Sequence, residues 1–384
     1  MTEPGAPAVL KDPSGGVRAG NLARVLRLIH LGGAQSRAQL TAATGLNRST
    51  IADLVGELVG DGWVVERDPD PVGRAGRPSP VVAASPSTVV IAVNPEVDAV
   101  EVAAIDLART IAVRERVESS ALLTSDDVAS LVASVVERWR HGALAGARVI
   151  AVGVAVPGLV RAADGLVRNA PHLGWTDAPL RASISASTGL PVAVGNDASL
   201  GALAEHLFGA AQGVDDLVYL NGGPSGIGGG IIVNGAPVGG VRGFAGEFGQ
   251  NRVDGASEEV LEGVVSRARL LSALGLVAAD DATLAGALAA ASEKAAVREE
   301  CLRQRRFLAQ AIADAVNILN PSIVVLGGFL AQLEAMDPEA FAADVAARAM
   351  AENVEGLRIR PASLAADRLL LGAAELAWAA MRVI

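Results

Sequence analysis

Apolar residues recur with a helical period along the first sixty positions. In Asn21 to His30, Leu22, Val25, Leu26 and Ile29 stand at i, i+3, i+4 and i+7, the stripe of an amphipathic helix. Gly32-Gly33 ends it, and Ser36 is placed to cap a second helix, Arg37 to Thr44, with Leu40 and Ala43 turned inward. Gly45 then stands where a tight helix-to-helix turn needs positive φ. Asn47 is the expected cap of a third helix, Arg48 to Gly60, whose Ile51, Leu54, Val55, Leu58 and Val59 share one face. After this the period becomes that of strands. Trp63 to Arg67 and Pro78 to Ala83 read as partners, with Asp68 to Arg77 as the hairpin between them.

From Thr88 onward the pattern is that of an α/β sheet. Thr88 to Asn94, Val97 to Asp106 and Ile111 to Val117 predict a β-meander. A helix over Asp126 to His141 and a buried strand over Val149 to Val154 follow. The richest stretch is Pro191 to Gln250. A short strand ends at Gly195-Asn196-Asp197, an Ala-rich helix follows, and a second strand, Leu217 to Leu220, leads into a glycine-dense loop. An aspartate at a strand end is placed to take a proton from a sugar hydroxyl, and a glycine-rich turn lets backbone N–H groups approach phosphate. Pro224 inside that turn removes one of the donors such a cradle needs. Ser257 to Ala315 is Ala-rich and helical, Leu308 to Leu319 runs into a buried strand, and a last helix covers Ala373 to Arg382.

Composition narrows the class. No apolar run reaches the roughly 18 residues of a membrane span, and the N-terminus lacks the apolar core of a secretory signal, so a cytoplasmic protein is expected. The single cysteine, Cys301, excludes an internal disulfide and a cysteine-built metal site. Charge is uneven: through Ser85 nine basic residues face eight acidic ones, whereas the rest of the chain is strongly acidic within a net charge of −10. A polyanion is therefore expected to be held by the N-terminal segment alone.

A helix, a glycine turn and a second helix with Arg48-Ser49-Thr50 at its start suit insertion into a DNA major groove. Arg74 and Arg77, on the hairpin Gly73 to Pro78, suit a narrow minor groove. A plain helical bundle with solvated arginines accounts for the helices but not for that hairpin. The expected head is thus a winged helix-turn-helix, with Arg37, Asn47, Arg48, Ser49, Thr50, Arg74 and Arg77 at double-stranded DNA.

The body carries ordered motifs: GVAVPGLV (Gly153 to Val160), NAPHLGW (Asn169 to Trp175), GNDAS (Gly195 to Ser199), GIGGGII, AGEFG (Ala245 to Gly249), NPSIVVLGG (Asn320 to Gly328) and GAAELAW (Gly372 to Trp378). Together they resemble the ROK family (repressors, open reading frames and kinases), in its transcription-regulator branch. The resemblance implies a two-lobed actin-like, ribonuclease H-like ATPase or sugar kinase fold behind the head. It implies a tail over 1–17, a head over 18–85, a small lobe over 86–190 plus 372–384, and a large lobe over 191–371. It also carries over a sugar site: Gly158, Asn196, Asp197 in the place of the kinase base, Glu247, Gln250 and Glu262. His172 is a further candidate for the cleft, or a solvated loop histidine.

Three departures separate this chain from the family's kinases. Asn94-Pro95-Glu96-Val97 replaces an Asp-x-Gly-Gly-Thr phosphate loop, and Asn221-Gly222-Gly223-Pro224-Ser225 replaces a second one. Added bulk and negative charge oppose nucleotide phosphates there. Gln250 replaces the family's histidine, and no cysteine cluster follows it, so no metal and no cofactor are expected. The expected protein is a homodimeric or homotetrameric, sugar-sensing DNA-binding regulator, a repressor without catalytic residues. The rivals are an ATP-dependent sugar kinase with an added head and a regulator whose pocket is dead.

Overall fold

The computed structural model describes residues 16–68, 80–253 and 258–381. The chain divides into two compact units. One comprises the described residues of Met1–Val156, Asp164–Gly195 and Ala373–Ile384, the other Pro157–Ala163 and Asn196–Gly372.

The first unit opens with helix α1 (Gly16–Gly32), strand β1 (Gln35–Ser36), helices α2 (Arg37–Thr44) and α3 (Arg48–Gly60), and strands β2 (Val64–Arg67) and β3 (Val81–Ala84). Ser36 and Gln39 form a reciprocal capping box at α2, Gly45 turns the chain at φ 72°, and Asn47 caps α3 through Thr50 N. The predicted face of α3 is buried at Ile51, Leu54, Val55 and Leu58, while Val59 is exposed. In α2 the inward residue is Thr44 rather than Ala43. Thr44 lies one full turn beyond Leu40, and its hydroxyl donates to the Leu40 carbonyl at 2.7 Å, so a polar residue fits this short helix's core face. β3 lies between β1 and β2, antiparallel to both, which completes the three-stranded wing sheet.

The unit continues through β4 (Thr88–Pro95), β5 (Ala99–Asp106), β6 (Ile111–Glu118), α4 (Ser125–Arg140), β7 (Arg148–Val156), then β8 (Leu159–Val160) in the other unit, β9 (Val167–Ala170), β10 (Trp175–Ala178), α5 (Leu180–Thr188) and β11 (Val192–Asn196). β4, β5 and β6 form the expected antiparallel meander, with β7 parallel to β4 and β11 beyond it. β4 is buried along its whole length, as its unbroken apolar run requires, whereas β6 alternates and carries charges on its outer face, as suits an edge.

The head is fastened to this sheet by buried polar contacts. His30 Nε2 lies 3.0 Å from Glu375 Oε2 and His30 Nδ1 lies 2.6 Å from the Leu107 carbonyl. Arg109 donates to the His30 carbonyl. The Arg148 guanidinium stacks 4.5 Å from the ring centroid of the buried Trp63 and donates to Asp61 O at 2.8 Å, and Thr88 Oγ1 donates to Gly62 O at 2.9 Å.

The second unit repeats the sheet topology. It contains α6 (Asp197–Phe208), β12 (Leu217–Gly223), β13 (Gly226–Val233), β14 (Ala236–Pro237), α7 (Leu261–Val264), α8 (Arg267–Leu274), α9 (Asp281–Ala290), α10 (Ala295–Leu319), β15 (Ile323–Gly328), α11 (Phe329–Ala335), α12 (Pro338–Ala346), α13 (Ala351–Val354), β16 (Arg358–Pro361) and the start of α14 (Arg368–Ala380). β12, β13 and β14 are an antiparallel meander, with β15 parallel to β12 and β16 beyond. Two meander-plus-crossover sheets of the same order are the duplicated architecture of the actin-like fold. One face of this sheet packs on α7 to α12, where the lone Cys301 is buried, and the other on Ala202 of α6. Among the described residues no helix is long and apolar enough to cross a membrane.

The glycine-dense segment is not a loop. Leu217 to Gly223 and Gly226 to Val233 are paired residue by residue, with only Pro224-Ser225 at the tip. Its glycines serve close packing: a Cβ on Gly228 would stand 2.7 Å from that of Ala198, and one on Gly230 2.9 Å from the Ala198 carbonyl, so only bare backbone lets α6 lie this near.

Gly153 of β7 faces α14 in the same way, since a Cβ there would run into the Ala373 carbonyl. Gly153→Ala is expected to lower stability by about 1–3 kcal/mol, read as a reduced urea midpoint with an unchanged slope.

Candidate nucleic-acid interface and sugar site

Two separate groups of residues carry chemistry. In the head, Asn47, Arg48 and Ser49 are exposed at the N-terminus of α3 and Thr50 is half-buried. Asn47 Oδ1 accepts from Thr50 N at 2.8 Å and from Ser49 Oγ at 2.7 Å, so this amide and hydroxyl order the first turn of the helix. Arg37 makes a two-pronged contact with Glu66 of β2, at 2.7 and 2.9 Å, tying the start of α2 to the wing. Arg48 is the one exposed cation of that helix start. Arg74 and Arg77 lie outside the described residues.

In the second unit, the strand-to-helix junction at Asn196-Asp197 is organised by its own side chains. Asn196 Oδ1 caps α6 by accepting from Ser199 N at 2.9 Å, while its Nδ2 donates to Gly158 O at 3.1 Å and to Asp197 Oδ1 at 3.2 Å. Asp197 Oδ1 also accepts from Ala198 N at 2.8 Å. Glu262 accepts from Gln250 Nε2 at 2.6 Å and from Ile227 N at 3.2 Å. Glu247 joins the two clusters electrostatically, since its charge acts on Asp197 and the charge of Glu262 acts on it. The predicted sugar residues thus form two hydrogen-bonded groups, Gly158 with Asn196 and Asp197, and Gln250 with Glu262, and Glu247 acts electrostatically with both. His172 is an exposed residue of a short turn in the first unit.

Burial pushes the Asp197 carboxyl up to about 6, reinforced by Glu247 and partly offset by the Ala198 N–H and the charge of Arg368. Glu247, exposed at the rim, is raised by the surrounding protein and by Glu262. Carboxylates with amides beside them offer acceptors at fixed angles to a polyhydroxylated ligand.

Arg368 was missed in the sequence. It acts on both Asp197 and the buried Tyr219, whose hydroxyl lies 3.2 Å from Asn221 Oδ1. Its signal was an arginine at the head of an otherwise apolar Leu-Leu-Leu helix start, a place where a charge needs a buried partner.

Both phosphate-loop positions are occupied by internal contacts. In the first unit Asn94 Nδ2 donates to Glu96 Oε1 at 2.9 Å, Glu96 N donates to Ala99 O at 2.7 Å, and Arg116 bonds to both Glu96 and Asp98. In the second, Asn221 is buried in the strand and Pro224-Ser225 forms a two-residue tip. Where family members place a cysteine cluster, Arg252 instead bridges to Val260 and Leu261 N donates to Asn251 O at 2.9 Å.

The sequence profile of the ROK family matches residues 90–380. The chain belongs to the ROK family. It is 27% identical over 314 residues to the xylose repressor of Caldicellulosiruptor bescii, across 76% of this chain and 78% of that one. Its structure resembles that of a ROK family transcriptional regulator homologous to the E. coli Mlc protein, with a TM-score of 0.77 and 23% identity, over 94% of this chain and 96% of the other. The ROK hexokinase of Thermus thermophilus, 28% identical, aligns with 77% of this chain and 99% of its own at a TM-score of 0.59. The fold is therefore a winged helix-turn-helix joined to an actin-like sugar-kinase body, as expected from the motifs.

The raised Asp197 carboxyl has a signed consequence. Its neutral form is favoured in the folded protein, so the stability it contributes is complete below pH 4 and is lost as pH rises through about 6. Asp197→Asn is expected to stabilise the ligand-free protein at pH 7.5, by at most about 3 kcal/mol, with the advantage vanishing below pH 4. Thermal unfolding across that range checks it.

Proposed function

We propose that the protein is a DNA-binding transcriptional repressor of carbohydrate-related genes, released or engaged by a sugar, and that it does not transfer phosphate. The observation that carries this is the pairing of a sugar-type polar cluster, from Gly158 to Glu262, with two phosphate-loop positions where Asn94, Glu96, Arg116 and Asn221 bond within the protein. Phosphoryl transfer rests on positioning and charge neutralisation, and a loop carrying Glu96 and Asp98 opposes both. The exposed start of α3, with Arg48 at its tip, enters the major groove, and the wing arginines Arg74 and Arg77 lie along the minor groove. Asn196, Asp197, Glu247, Gln250 and Glu262 hold the sugar hydroxyls. The similarity to a xylose repressor makes D-xylose the first effector to test. The protein acts in the cytoplasm as a dimer or tetramer, so that two heads read two half-sites.

The test is thermal unfolding against a panel of pentoses, hexoses and N-acetylhexosamines, with and without Mg-ATP, followed by titration of a duplex selected by the protein from a random-sequence pool. A ligand at 100 times its Kd adds about 2.7 kcal/mol. One sugar is expected to raise Tm and change DNA affinity, with no ADP released. Sugar-dependent ADP release overturns the non-enzyme reading in favour of a kinase with a head, and a flat response to every sugar overturns sensing. Arg48→Ala is expected to weaken duplex binding by about 1–3 kcal/mol while leaving the sugar shift in place.

A further inference from the structure

Helix α14 begins at Arg368 in the second unit and runs unbroken to Ala380 in the first. In the second unit it is held against α6, the helix whose first residue is Asp197. A Cβ on Gly372 would collide with the Leu200 carbonyl, and the fully buried Glu205, also on α6, accepts from Ser363 N and Leu364 N at 3.0 and 2.9 Å, pinning the segment that leads into α14. In the first unit the same helix lies against Gly153 of β7, and its Glu375 meets His30 of α1.

His30 is 1% exposed and Glu375 4% exposed, so the contact is shut off from water. Both ring nitrogens of His30 face acceptors, the Glu375 carboxylate and the Leu107 carbonyl. Full bonding therefore requires both nitrogens to carry hydrogen, or the Glu375 carboxyl to do so. A displacement of α14 by one ångström stretches these bonds past their useful range and strands buried polar groups. The head helix is thus obliged to follow α14 rather than slide past it.

We propose that α14 transmits the state of the sugar site to the DNA-binding head, with the His30–Glu375 contact as the point where it grips α1. This rests on the sensing function proposed above. The path runs from Asp197 along α6 to Gly372, through the helix to Glu375, and into α1.

The test uses the full-length protein, D-xylose as the sugar and the duplex selected from a random-sequence pool as DNA. His30→Gln and Glu375→Gln are compared with wild type, and H30L/E375L removes both buried polar groups together in case either single variant fails to fold. In wild type, xylose is expected to change duplex Kd at least tenfold. In the variants that ratio is expected to fall below threefold, with xylose Kd, from thermal shift, held within twofold. A variant that folds, binds both ligands and keeps the wild-type ratio overturns the proposal. Amide exchange without sugar separates this from a failure of sensing. Glu375→Gln is expected to speed exchange at least tenfold both in α1 and in the first turn of α6. Unchanged exchange at either place overturns transmission, whereas an unresponsive wild type whose variant shows both changes overturns only the sensing reading.

Discussion

The backbone of α14 takes part in two contacts too close for a Cβ on one of the two partners. Gly153 of β7 faces Ala373 and Ala377, and Gly372 of α14 itself faces Leu200 of α6. Contacts this close transmit displacement because one partner at each is bare backbone, with no flexible side chain to absorb it. Gly372 is the last residue of the second unit along α14, and Ala373, which Gly153 faces, is the first of the other unit. Each unit therefore holds its own stretch of a single helix.

The polar groups follow the same economy. Asn196 caps α6, orients Asp197 and bonds Gly158 with one amide, and Asn47 does comparable work at the start of α3. In both places a helix N-terminus is ordered by a side chain that also bonds a neighbouring side chain. Removing either amide disturbs the helix start as well as the contact it was meant to make, so its effect on binding reports on both.

The head was legible almost in full because its information is local. Ser36, Gly45 and Asn47 are punctuation, and Leu22, Val25, Leu26 and Ile29 declare a face. Ala43 was misplaced because an alanine fits either side of a short helix, and the turn's real core residue, Thr44, conceals its polarity in a bond to its own backbone. The candidate sugar residues stand in short motifs, and their association through Glu247 and Glu262 follows from tertiary folding that no spacing encodes. GIGGG read as a phosphate turn because glycine signals flexibility in isolation. Its reason here is the nearness of α6, which becomes visible only when Ala198 is seen on the other side. His30 and Glu375 gave no local sign at all, because their partners lie far away along the chain.

The burial of Cys301 within α10 has a practical side. The chain has one thiol, and it is sealed among Leu, Ile and Val side chains where burial also raises its pKa. Thiol-directed reagents therefore meet an inert native surface. A cysteine placed at the exposed Ser49 or on the outer face of β6 becomes a single addressable handle, and a pair of spectroscopic labels can be installed on the head and on that sheet without first stripping the protein of a native residue.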